Sequence, residues 1–459
     1  MATTHSGRLR PEPYASSSVI GMRRTFDIEF GNVYDVARLR QGHRLMLLGA
    51  IADDVTGGTD LGSVLRRDGL RVVQTLDTLA IPAGADAVVV SMKTRTVGAD
   101  EARSRAGQAA EALQAAGAEQ IYFKYCSTFD STDDGNIGPV IDELSERLHA
   151  HFTIACPAYP ALARTVYAGH LFVGTQLLSD SSMRHHPLTP MTDANLVRVL
   201  GRQTRARVGL AGLATIEQGP RATAARLDEL AGTGHRIAVV DALFDRHLDV
   251  VAEASGGLRL VTGGAALGGA LARMKYGSRR SGSNAPGPVV RAPVAMLSGS
   301  CSAATLSQVE QAAHVMATCE VDPLKLAESS AELPRVIEWS CGQINRGCML
   351  LYSSGAPGKV QAVQRQLGHA AAAGLVEHAF GALAVALAER GVRTFVVAGG
   401  ETSGAVLHAL RIRMLAFGDE LDSGVPWTSS LDPEGFVFAL KSGNFGSRDF
   451  FVKAWERAR

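Results

Sequence analysis

The sequence predicts an α/β protein with two α/β domains, each built on a mainly parallel β-sheet. Three observations predict it: the chain length, the alternation of apolar runs with helical patterns, and the polar or glycine-rich segments that follow the apolar runs. At 459 residues the chain exceeds one ordinary hydrophobic core. Parallel sheets carry their ligand sites beyond the carboxyl ends of the strands. We therefore expect ligand sites at strand ends, in the cleft between the two domains.

The first half of the chain alternates predicted strands and helices. Residues 45–51 form an apolar run that ends at carboxylates, and 59–68 carry Leu61 and Leu65 on one helical face. The other elements predicted here are strands at 71–75, 87–90, 120–125, 152–155 and 237–240 and a helix at 99–116. Polar loops follow several of these strands, so the loops are expected at one edge of the sheet.

A change of composition separates the two halves. Residues 275–293 are rich in Gly, Ser, Pro and Arg, which is typical of a surface linker. The predicted domains are therefore 45–274 and 294–459. Residues 1–44 show no sustained periodicity and no apolar core of a secretory signal, so we expect a poorly ordered N-terminal extension. Strands of the second domain are predicted at 294–297, 349–352, 394–398 and 436–440.

Composition and charge exclude several classes of partner. The net charge of +1 provides no electrostatic footprint for nucleic acid or for an acidic membrane surface. The longest apolar stretch, 370–388, is interrupted by Glu377 and His378 and predicts an amphipathic helix, so we expect no membrane partner. The six cysteines show no Cys-x-x-Cys spacing and indicate reduced thiols in a cytoplasmic protein. No His or Cys cluster has ligand spacing, so no protein metal site is predicted.

An acidic pair follows the first predicted strand. Asp53 and Asp54 precede a Thr-Gly-Gly turn. Such a pair can bind sugar hydroxyls and take a proton from one of them, with Asp54 as the first choice for this catalytic role and Asp53 as the second. An aspartate before a helix can equally cap free N–H groups, and this alternative stays open. For Asp60 a cap or first-turn role is favoured over catalysis.

The segment 122–139 also follows a predicted strand and combines a lysine with hydroxyl, carboxylate and amide side chains. These groups suit a polyhydroxylated anion, although a polar surface loop has the same composition. Lys124 and Arg164 are the cations that we direct at a substrate carboxylate, with surface ion pairs as the alternative. The predicted substrate contacts are Lys124, Tyr125, Ser127, Asp130, Asn136, Arg164 and His170.

The predicted strands of the second domain lead into loops of Gly, Ser, Thr and Asn. Such loops allow close backbone approach and present N–H groups, so they favour an anion or nucleotide site. The standard nucleotide motifs are absent, because Val360 stands where a P-loop requires Ser or Thr and no Gly-x-Gly-x-x-Gly occurs. A Walker-type NTPase and a Rossmann dehydrogenase are both disfavoured.

Together these segments resemble the four-carbon acid sugar kinases. The resemblance lies in Asp-Asp-x-Thr-Gly-x-Thr-Asp at 53–60, in Gly-Asn-Ile-Gly-Pro at 135–139 and in the second-domain loops at 298–302, 399–404 and 441–446. Lys-Tyr-Cys-Ser-Thr-Phe-Asp-Ser-Thr at 124–132 is similar to the 3-oxo-tetronate 4-kinase branch. Threonate and erythronate kinases instead have Lys-x-Asp-Ser-Thr-Leu-Arg-Gly at this loop.

The resemblance implies an N-terminal acid-sugar-binding domain and a C-terminal nucleotide-binding domain. It implies transfer of phosphate from ATP, with Mg²⁺, to the 4-hydroxyl of 3-oxo-tetronate, either 3-dehydro-L-erythronate or 3-dehydro-D-erythronate. The partners are then these small molecules, and a homodimer stays open. The resemblance does not assign the base. The implied ATP contacts are Ser298, Ser300, Ser302, Gly399, Gly400, Glu401, Thr402, Gly443 and Asn444.

Three alternatives remain at this point. Within the kinase class, the protein could phosphorylate D-threonate or D-erythronate at the same position. A non-catalytic acid-sugar-binding regulatory protein would keep the first domain but lose the glycine loops of the second, and these loops are intact. A dehydrogenase or aldolase is disfavoured, because the dinucleotide fingerprint and an isolated lysine in an apolar strand are both missing.

Overall fold

The computed structural model describes residues 48–459 except 77–78, 187 and 278–286. The predicted N-terminal extension, 1–44, lies outside the described residues, as does the middle of the predicted linker. The strands are β1 (Leu48–Ala52), β2 (Val72–Leu76), β3 (Ala87–Ser91), β4 (Ile121–Lys124), β5 (Thr153–Cys156), β6 (Arg164–Tyr167), β7 (His170–Val173), β8 (Gln176–Leu177), β9 (Val208–Ala211), β10 (Ile237–Val240), β11 (Leu260–Gly263), β12 (Val294–Ser298), β13 (Thr318–Glu320), β14 (Cys348–Tyr352), β15 (Thr394–Ala398), β16 (Met414–Asp422), β17 (Val425–Asp432) and β18 (Glu434–Lys441).

Helices connect most of these strands, as expected for parallel pairing. The helices are α1 (Val55–Arg67), α2 (Ala99–Ala115), α3 (Ile137–Arg147), α4 (Leu196–Gln203), α5 (Leu213–Ile216), α6 (Pro220–Gly232), α7 (Asp245–Ser255), α8 (Ala265–Tyr276), α9 (Ala303–Ala313), α10 (Pro323–Glu328), α11 (Glu332–Gln343), α12 (Pro357–Leu367), α13 (His369–Glu389), α14 (Gly400–Ala409) and α15 (Phe450–Ala458). Short 3-10 helices lie at Pro160–Leu162, Leu178–Asp180, Ser182–His185 and Ile344–Arg346.

In the described part of the chain, fifteen strands form one continuous sheet in the order β13-β14-β12-β15-β18-β17-β16-β2-β3-β1-β4-β11-β5-β10-β9. Two blocks of this sheet contain only parallel pairs: β2-β3-β1-β4-β11-β5-β10-β9 and β13-β14-β12-β15-β18. The predicted α/β class with mainly parallel sheets is confirmed. The antiparallel hairpin β16–β17, which the sequence did not predict, joins the two parallel blocks. A separate antiparallel sheet contains β6, β7 and β8.

The joining hairpin reverses the strand direction between the two blocks. The pairings β2–β16, β16–β17 and β17–β18 are all antiparallel, so β18 runs opposite to β2. Sheets twist by roughly 20–25° from strand to strand, so the steps from β1 to β15 add up to about 120–150°. This rotation compensates for the reversal and turns the carboxyl ends of the two blocks toward each other. A Cβ added at Gly400, after β15, would lie 3.5 Å from Asp54 Oδ2, after β1.

The predicted strands agree with the observed ones to within a few residues, but α1 begins earlier than the predicted helix at 59–68. It starts at Val55, because Asp54 caps it and accepts a hydrogen bond from the Gly57 N–H. The sequence did not predict this start because Gly57 and Gly58 lie in the first turn, and glycine has a low helix propensity. Both are needed for close packing, since a Cβ at Gly57 would lie 2.5 Å from Lys124 Nζ and one at Gly58 would lie 1.8 Å from Ser91 Oγ.

Helix α13 is long and apolar enough to cross a membrane by length and composition alone. Its Phe380, Leu383 and Leu387 are fully buried in the core that covers one face of the second parallel block. The helix also packs along α14. These contacts bury one face of the helix in the protein core, and 39% of its apolar stretch is buried.

Candidate functional site

The acidic pair at the end of β1 is bound by one arginine. Arg95 Nε and Nη2 donate to the two carboxylate oxygens of Asp53 at 2.9 and 2.8 Å, and Nη2 also donates to Asp54 Oδ1 at 2.8 Å. Asp53 is 5% exposed and so is largely removed from water, whereas the Asp54 side chain is 20% exposed. A bidentate guanidinium is the partner that best compensates a buried carboxylate. The site therefore contains a fixed, charge-paired acidic group at a strand end.

Sequence reasoning missed Arg95. It lies in the loop after β3, the neighbour of β1, so the rule that placed Asp53 and Asp54 at the sheet edge also applies to it. The signal available was the Lys-Thr-Arg sequence directly beyond the predicted strand at 87–90. Its weakness was that cations at loop positions are common on protein surfaces.

Two residues of the predicted substrate segment support the Arg95 loop. Asn136 Nδ2 donates to the carbonyl oxygens of Thr94 and Val97, each at 2.8 Å, and so holds the loop on both sides of Arg95. Asp130 Oδ2 lies 3.6 Å from Arg95 Nη1, and its own backbone has a left-handed φ of 41°. Asn136 thus positions the cluster, and Asp130 adds a third carboxylate to it.

The pKa values of the acidic pair move in opposite directions. Burial raises the pKa of Asp53, and the paired guanidinium of Arg95 opposes this rise. Burial also acts against ionisation of Asp54, but Arg95, Lys124 and the hydrogen bonds from Thr56 and Gly57 together lower its pKa. Asp54 is therefore ionised at neutral pH. The pKa of His186 is lowered by burial, an effect opposed by Asp130, which places this histidine near the cluster as well.

Lys124 lies at the end of β4 and is 3% exposed. Its Nζ is 3.7 Å from Asp60 Oδ2. The other Asp60 oxygen, Oδ1, is buried without a hydrogen-bond partner among the described residues. Burial raises the pKa of Asp60 to about 6, against the attraction of Lys124. The sequence favoured a cap or first-turn role for Asp60. The helix begins at Val55, so Asp60 lies beyond the first turn and is a buried partner of Lys124, the lysine predicted to bind substrate.

The raised pKa of Asp60 predicts a pH-dependent stability difference. A folded-state pKa near 6 against an ordinary 3.8 means that ionisation of Asp60 destabilises the fold as pH rises through this window, by about 3 kcal/mol in full. Asp60→Asn cannot ionise. Its free energy of unfolding, relative to that of the parent, is expected to increase from pH 4 to pH 7, as measured by chemical denaturation.

Asp422→Asn provides the matched control for this measurement. Hydrogen bonds from Ser447 outweigh burial and lower the pKa of Asp422, so loss of its charge is expected to reduce stability at neutral pH relative to acid pH. The two variants should therefore change in opposite directions. A flat difference for Asp60→Asn between pH 4 and pH 7 would contradict the assignment.

The remaining predicted substrate residues occupy different surroundings. Tyr125 is fully buried, and its hydroxyl contacts Thr262 Oγ1 at 3.1 Å, so it is a core residue and we no longer propose it as a ligand contact. Ser127 is partly exposed in the loop beyond β4. Arg164 begins β6 and donates to the Leu162 carbonyl. His170 Nδ1 donates to the Ala168 carbonyl at 2.8 Å, and the side chain lines a separate cavity of about 540 Å³.

The glycine and serine loops of the second half lie against one another. Ser302 caps α9 and donates to the Gly443 carbonyl at 2.6 Å, which joins the loops after β12 and β18. Ser300 Oγ would lie 2.7 Å from a Cβ at Gly443, so this contact requires glycine. Ser298 is buried and bonds Ser354 Oγ at 2.9 Å, so it supports the loop from beneath.

The loop after β15 completes this group. Gly399 has φ of 119°, a conformation that favours glycine, and a Cβ there would lie 3.2 Å from both the Ser300 N and Thr402 Oγ1. Thr402 is buried at this junction, whereas Asn444 is exposed. The predicted nucleotide residues are thus brought together, at the N-terminal ends of α9 and α14. Helix N-termini favour anions.

The two clusters meet at Gly400. A Cβ added at Gly400 would lie 3.5 Å from Asp54 Oδ2 and 3.3 Å from Thr56 Oγ1. Lys93, after β3, pairs with Glu401 at 2.7 Å and with Glu377 at 3.0 Å across the same boundary. Lys93 and Glu377 line a cavity of about 1100 Å³, which is large enough for small-molecule ligands. Among the described residues, no group of three His, Cys, Asp or Glu side chains is placed to hold a metal ion.

The fold and the site define a class: an α/β protein in which a polar, charge-paired site in one half faces glycine- and serine-rich loops in the other. Two family descriptions match the chain in that order. The sugar-binding N-terminal domain matches residues 48–271, and the nucleotide-binding C-terminal domain matches residues 295–451. The chain belongs to the four-carbon acid sugar kinase family, as the resemblance of its motifs implied.

Relatives with known names cover almost the whole described chain. The 3-oxo-tetronate kinase of Pseudomonas fluorescens is 48% identical over 415 residues, which are 89% of this chain and 96% of the relative. That of Burkholderia multivorans is 46% identical over 413 residues, again 89% of this chain and 96% of the relative. Such identity over both halves supports a common activity as well as a common fold.

Solved structures agree with the fold. A Salmonella typhimurium LT2 protein described as a tRNA synthase matches with a TM-score of 0.80 and 40% identity, over 90% of this chain and all of that one. A Haemophilus influenzae protein matches with a TM-score of 0.71 and 38% identity, over 89% of this chain and 99% of that one.

Proposed function

We propose that the protein is an ATP-dependent kinase that phosphorylates the 4-hydroxyl of 3-oxo-tetronate, either 3-dehydro-L-erythronate or 3-dehydro-D-erythronate. The names of its relatives support this activity. The structural observation that best supports this activity is the short distance from Gly400, at the start of α14, to Asp54 and Thr56. Phosphoryl transfer requires the donor phosphate and the acceptor hydroxyl in one place, and this is the point where the two clusters meet.

Asp54 is the residue proposed to bind and deprotonate the acceptor hydroxyl. Its Oδ1 is occupied by the Gly57 N–H and by Arg95, whereas Oδ2 accepts from Thr56 and faces Gly400. Its lowered pKa keeps it ionised and able to accept a hydrogen bond from the hydroxyl. The resulting base is weak, which suits phosphoryl transfer, because positioning and charge neutralisation contribute more than proton removal.

Lys124 is the residue proposed to bind the substrate carboxylate. Its ammonium group is enclosed, and its nearest charged partner, Asp60, lies beyond ordinary hydrogen-bond distance at 3.7 Å. The donor hydrogens of Lys124 are therefore available to a ligand. Ser127, Asp130, Asn136, Arg164 and His170 remain proposed substrate contacts or supports, in addition to Asp53.

The donor nucleotide is proposed to bind the second-half loops, through the nine residues named from the resemblance. Mg²⁺ would neutralise charge on the phosphates, as it does when bound to nucleotides in kinases. We assign the ion to the nucleotide itself, because Mg²⁺ usually binds through substrate phosphates in such sites. We also propose a cytoplasmic location and leave a homodimer as a proposal.

The test of this function is a coupled ADP-release assay with a panel of four-carbon acids. The 3-oxo-tetronates are expected to give the highest kcat/KM, ahead of D-threonate and D-erythronate. A neutral four-carbon polyol measures the contribution of the carboxylate. Higher kcat/KM for D-threonate than for either 3-oxo acid would instead assign the protein as a D-threonate/D-erythronate 4-kinase. ATP binding without turnover of any acid would favour the regulatory alternative.

Lys124→Met is expected to lower kcat/KM for the acid by roughly tenfold to over a hundredfold, because one charge-assisted bond to the carboxylate is lost. KM for ATP should barely change. The same substitution at Arg164 tests the second predicted cation, and the neutral polyol should be affected by neither change. If either variant raised KM for ATP and spared the acid, that cation would face the nucleotide instead.

A further inference from the structure

Lys441, the last residue of β18, is fully buried beside the second-half loops that are proposed to bind the nucleotide. It has no carboxylate partner within salt-bridge distance among the described residues, although its Nζ lies 5.9 Å from the centre of the Phe450 ring. Its ammonium group donates to three oxygens instead: Thr305 Oγ1 at 2.8 Å, the Gly443 carbonyl at 2.9 Å and the Ser442 carbonyl at 3.2 Å. A buried ammonium group needs hydrogen-bond partners, and by donating to these carbonyls Lys441 holds the loop backbone in place.

The Gly443 carbonyl is held by more than Lys441. It also accepts from Ser302 Oγ at 2.6 Å and from Thr305 Oγ1 at 2.9 Å. A carbonyl oxygen has two lone pairs, so three converging donors fix its direction firmly. All three donors lie beneath the loop, on β18 and at the start of α9.

The direction of these carbonyls determines the direction of the next N–H groups. In a trans peptide the C=O of one residue and the N–H of the following residue point to opposite sides. The Ser442 carbonyl also accepts from the Phe445 N–H at 3.1 Å, so Lys441 and this turn hydrogen bond hold it together, whereas the Gly443 carbonyl is held by the side-chain donors. With both carbonyls turned toward Lys441, the N–H groups of Gly443 and Asn444 point away from it. Neither N–H donates to another group in the part of the chain that the structure describes. Two adjacent free N–H groups of this kind form an anion-binding concavity.

We infer that Lys441 is a positioning residue that orients the Gly443 and Asn444 N–H groups to bind a phosphate of the donor nucleotide. This inference rests on the proposed kinase function. Lys441 itself does not touch the phosphate, because its donors are used by Ser442, Gly443 and Thr305. The charge-neutral N–H groups make the contact, and the lysine determines where they point.

Lys441→Met tests the inference, because methionine keeps the apolar stem and removes the donors. The dissociation constant for a nonhydrolysable ATP analogue, measured by titration calorimetry, is expected to rise tenfold or more, whereas KM for the acid stays within about twofold. Lys325→Met, at an exposed position on α10, is the matched control and should leave both values unchanged. An unchanged analogue affinity in a folded Lys441→Met protein would overturn the inference.

A pH series separates orientation from direct attraction of the phosphate. Burial lowers the pKa of Lys441 to about 7. A neutral amine still has two N–H donors for the Ser442 and Gly443 carbonyls, so orientation survives deprotonation. The ratio of the variant and parent dissociation constants should stay level from pH 6 to pH 8.5. A ratio that collapses above pH 7 would show that the charge acts directly and would overturn the positioning role.

A second variant covers the case in which Lys441→Met does not fold, and the parent protein itself tests the kinase assignment. If Lys441→Met does not fold, as judged by its melting curve, Thr305→Val removes another donor to Gly443 and is expected to weaken analogue binding threefold or more. Unchanged binding in this folded variant would equally contradict the inference. A parent protein that fails to bind the analogue would instead overturn the kinase assignment, which distinguishes the two failures.

Discussion

Asp54→Asn is expected to lower kcat by roughly 10²-fold or more, the usual effect of losing a general base. Asparagine is as good a helix N-cap as aspartate, so α1 should keep its start. Some stability at neutral pH should be lost, because Arg95 and Lys124 stabilise the charge of Asp54 in the folded state. The lost property is the ability of Oδ2, which faces Gly400, to accept a proton. Steady-state kinetics with saturating ATP and 3-oxo-tetronate measure the effect, and KM for ATP should change little.

Asp322→Asn is the control for this variant, because Asp322 caps α10 in the same way, through the Leu324 N–H at 3.0 Å, and lies outside the proposed site. Its kcat should equal that of the parent. If Asp54→Asn retained turnover within about threefold, Asp54 would not be the base. Asp53 or Asp130, which share Arg95 with it, would then become the candidates.

Arg95→Met is expected to destabilise the protein by about 3–5 kcal/mol, because it leaves a buried carboxylate pair without its cation. Asp53 loses both of its short bonds, and Asp54 loses one. Chemical denaturation at pH 7 measures the loss. The deficit should shrink as pH falls toward 4, since protonation of Asp53 removes the unpaired charge, and this pH dependence distinguishes lost charge pairing from lost packing.

Arg103→Met is the comparison, since Arg103 pairs with Glu143 at 3.2 Å but its side chain is 39% exposed. Exposed pairs contribute about 0–1 kcal/mol, so this variant should be nearly as stable as the parent. Equal losses for the two arginines would contradict the view that Arg95 is the central cation of the site. Turnover of the acid should also be lost in Arg95→Met protein that remains folded.

Much of the fold followed from local sequence pattern. The strand predicted at 237–240 and the one at 394–398 were placed to the residue, because a continuous apolar run of that length between polar loops fits a strand buried on both faces. The start of α1 was placed four residues late, since glycine in a first turn opposes helix propensity and only tertiary contacts explain it.

The sequence likewise predicted some residues of the candidate site and missed others. The sequence predicted the acidic pair, Lys124 and the glycine loops, because strand-end chemistry can be recognised locally. It assigned Tyr125 to the ligand, yet the alternation of side chains along the extended chain turns this ring into the core beside Phe123 and Phe129. Arg95 was not predicted as a site residue, and Lys441 was named only as part of the 441–446 loop, because their roles depend on which loops approach them in space.

By itself, the sequence determined the α/β class, the parallel strands, the order of the two halves and the family. These depend on periodicity and on short motifs, which neighbouring residues encode. Only the tertiary structure decided that one sheet continues through both halves and that its β16–β17 hairpin turns their carboxyl ends toward each other. The physical reason is that strand pairing and accumulated twist join residues hundreds of positions apart, such as Asp54 and Gly400, and no local pattern records such a contact.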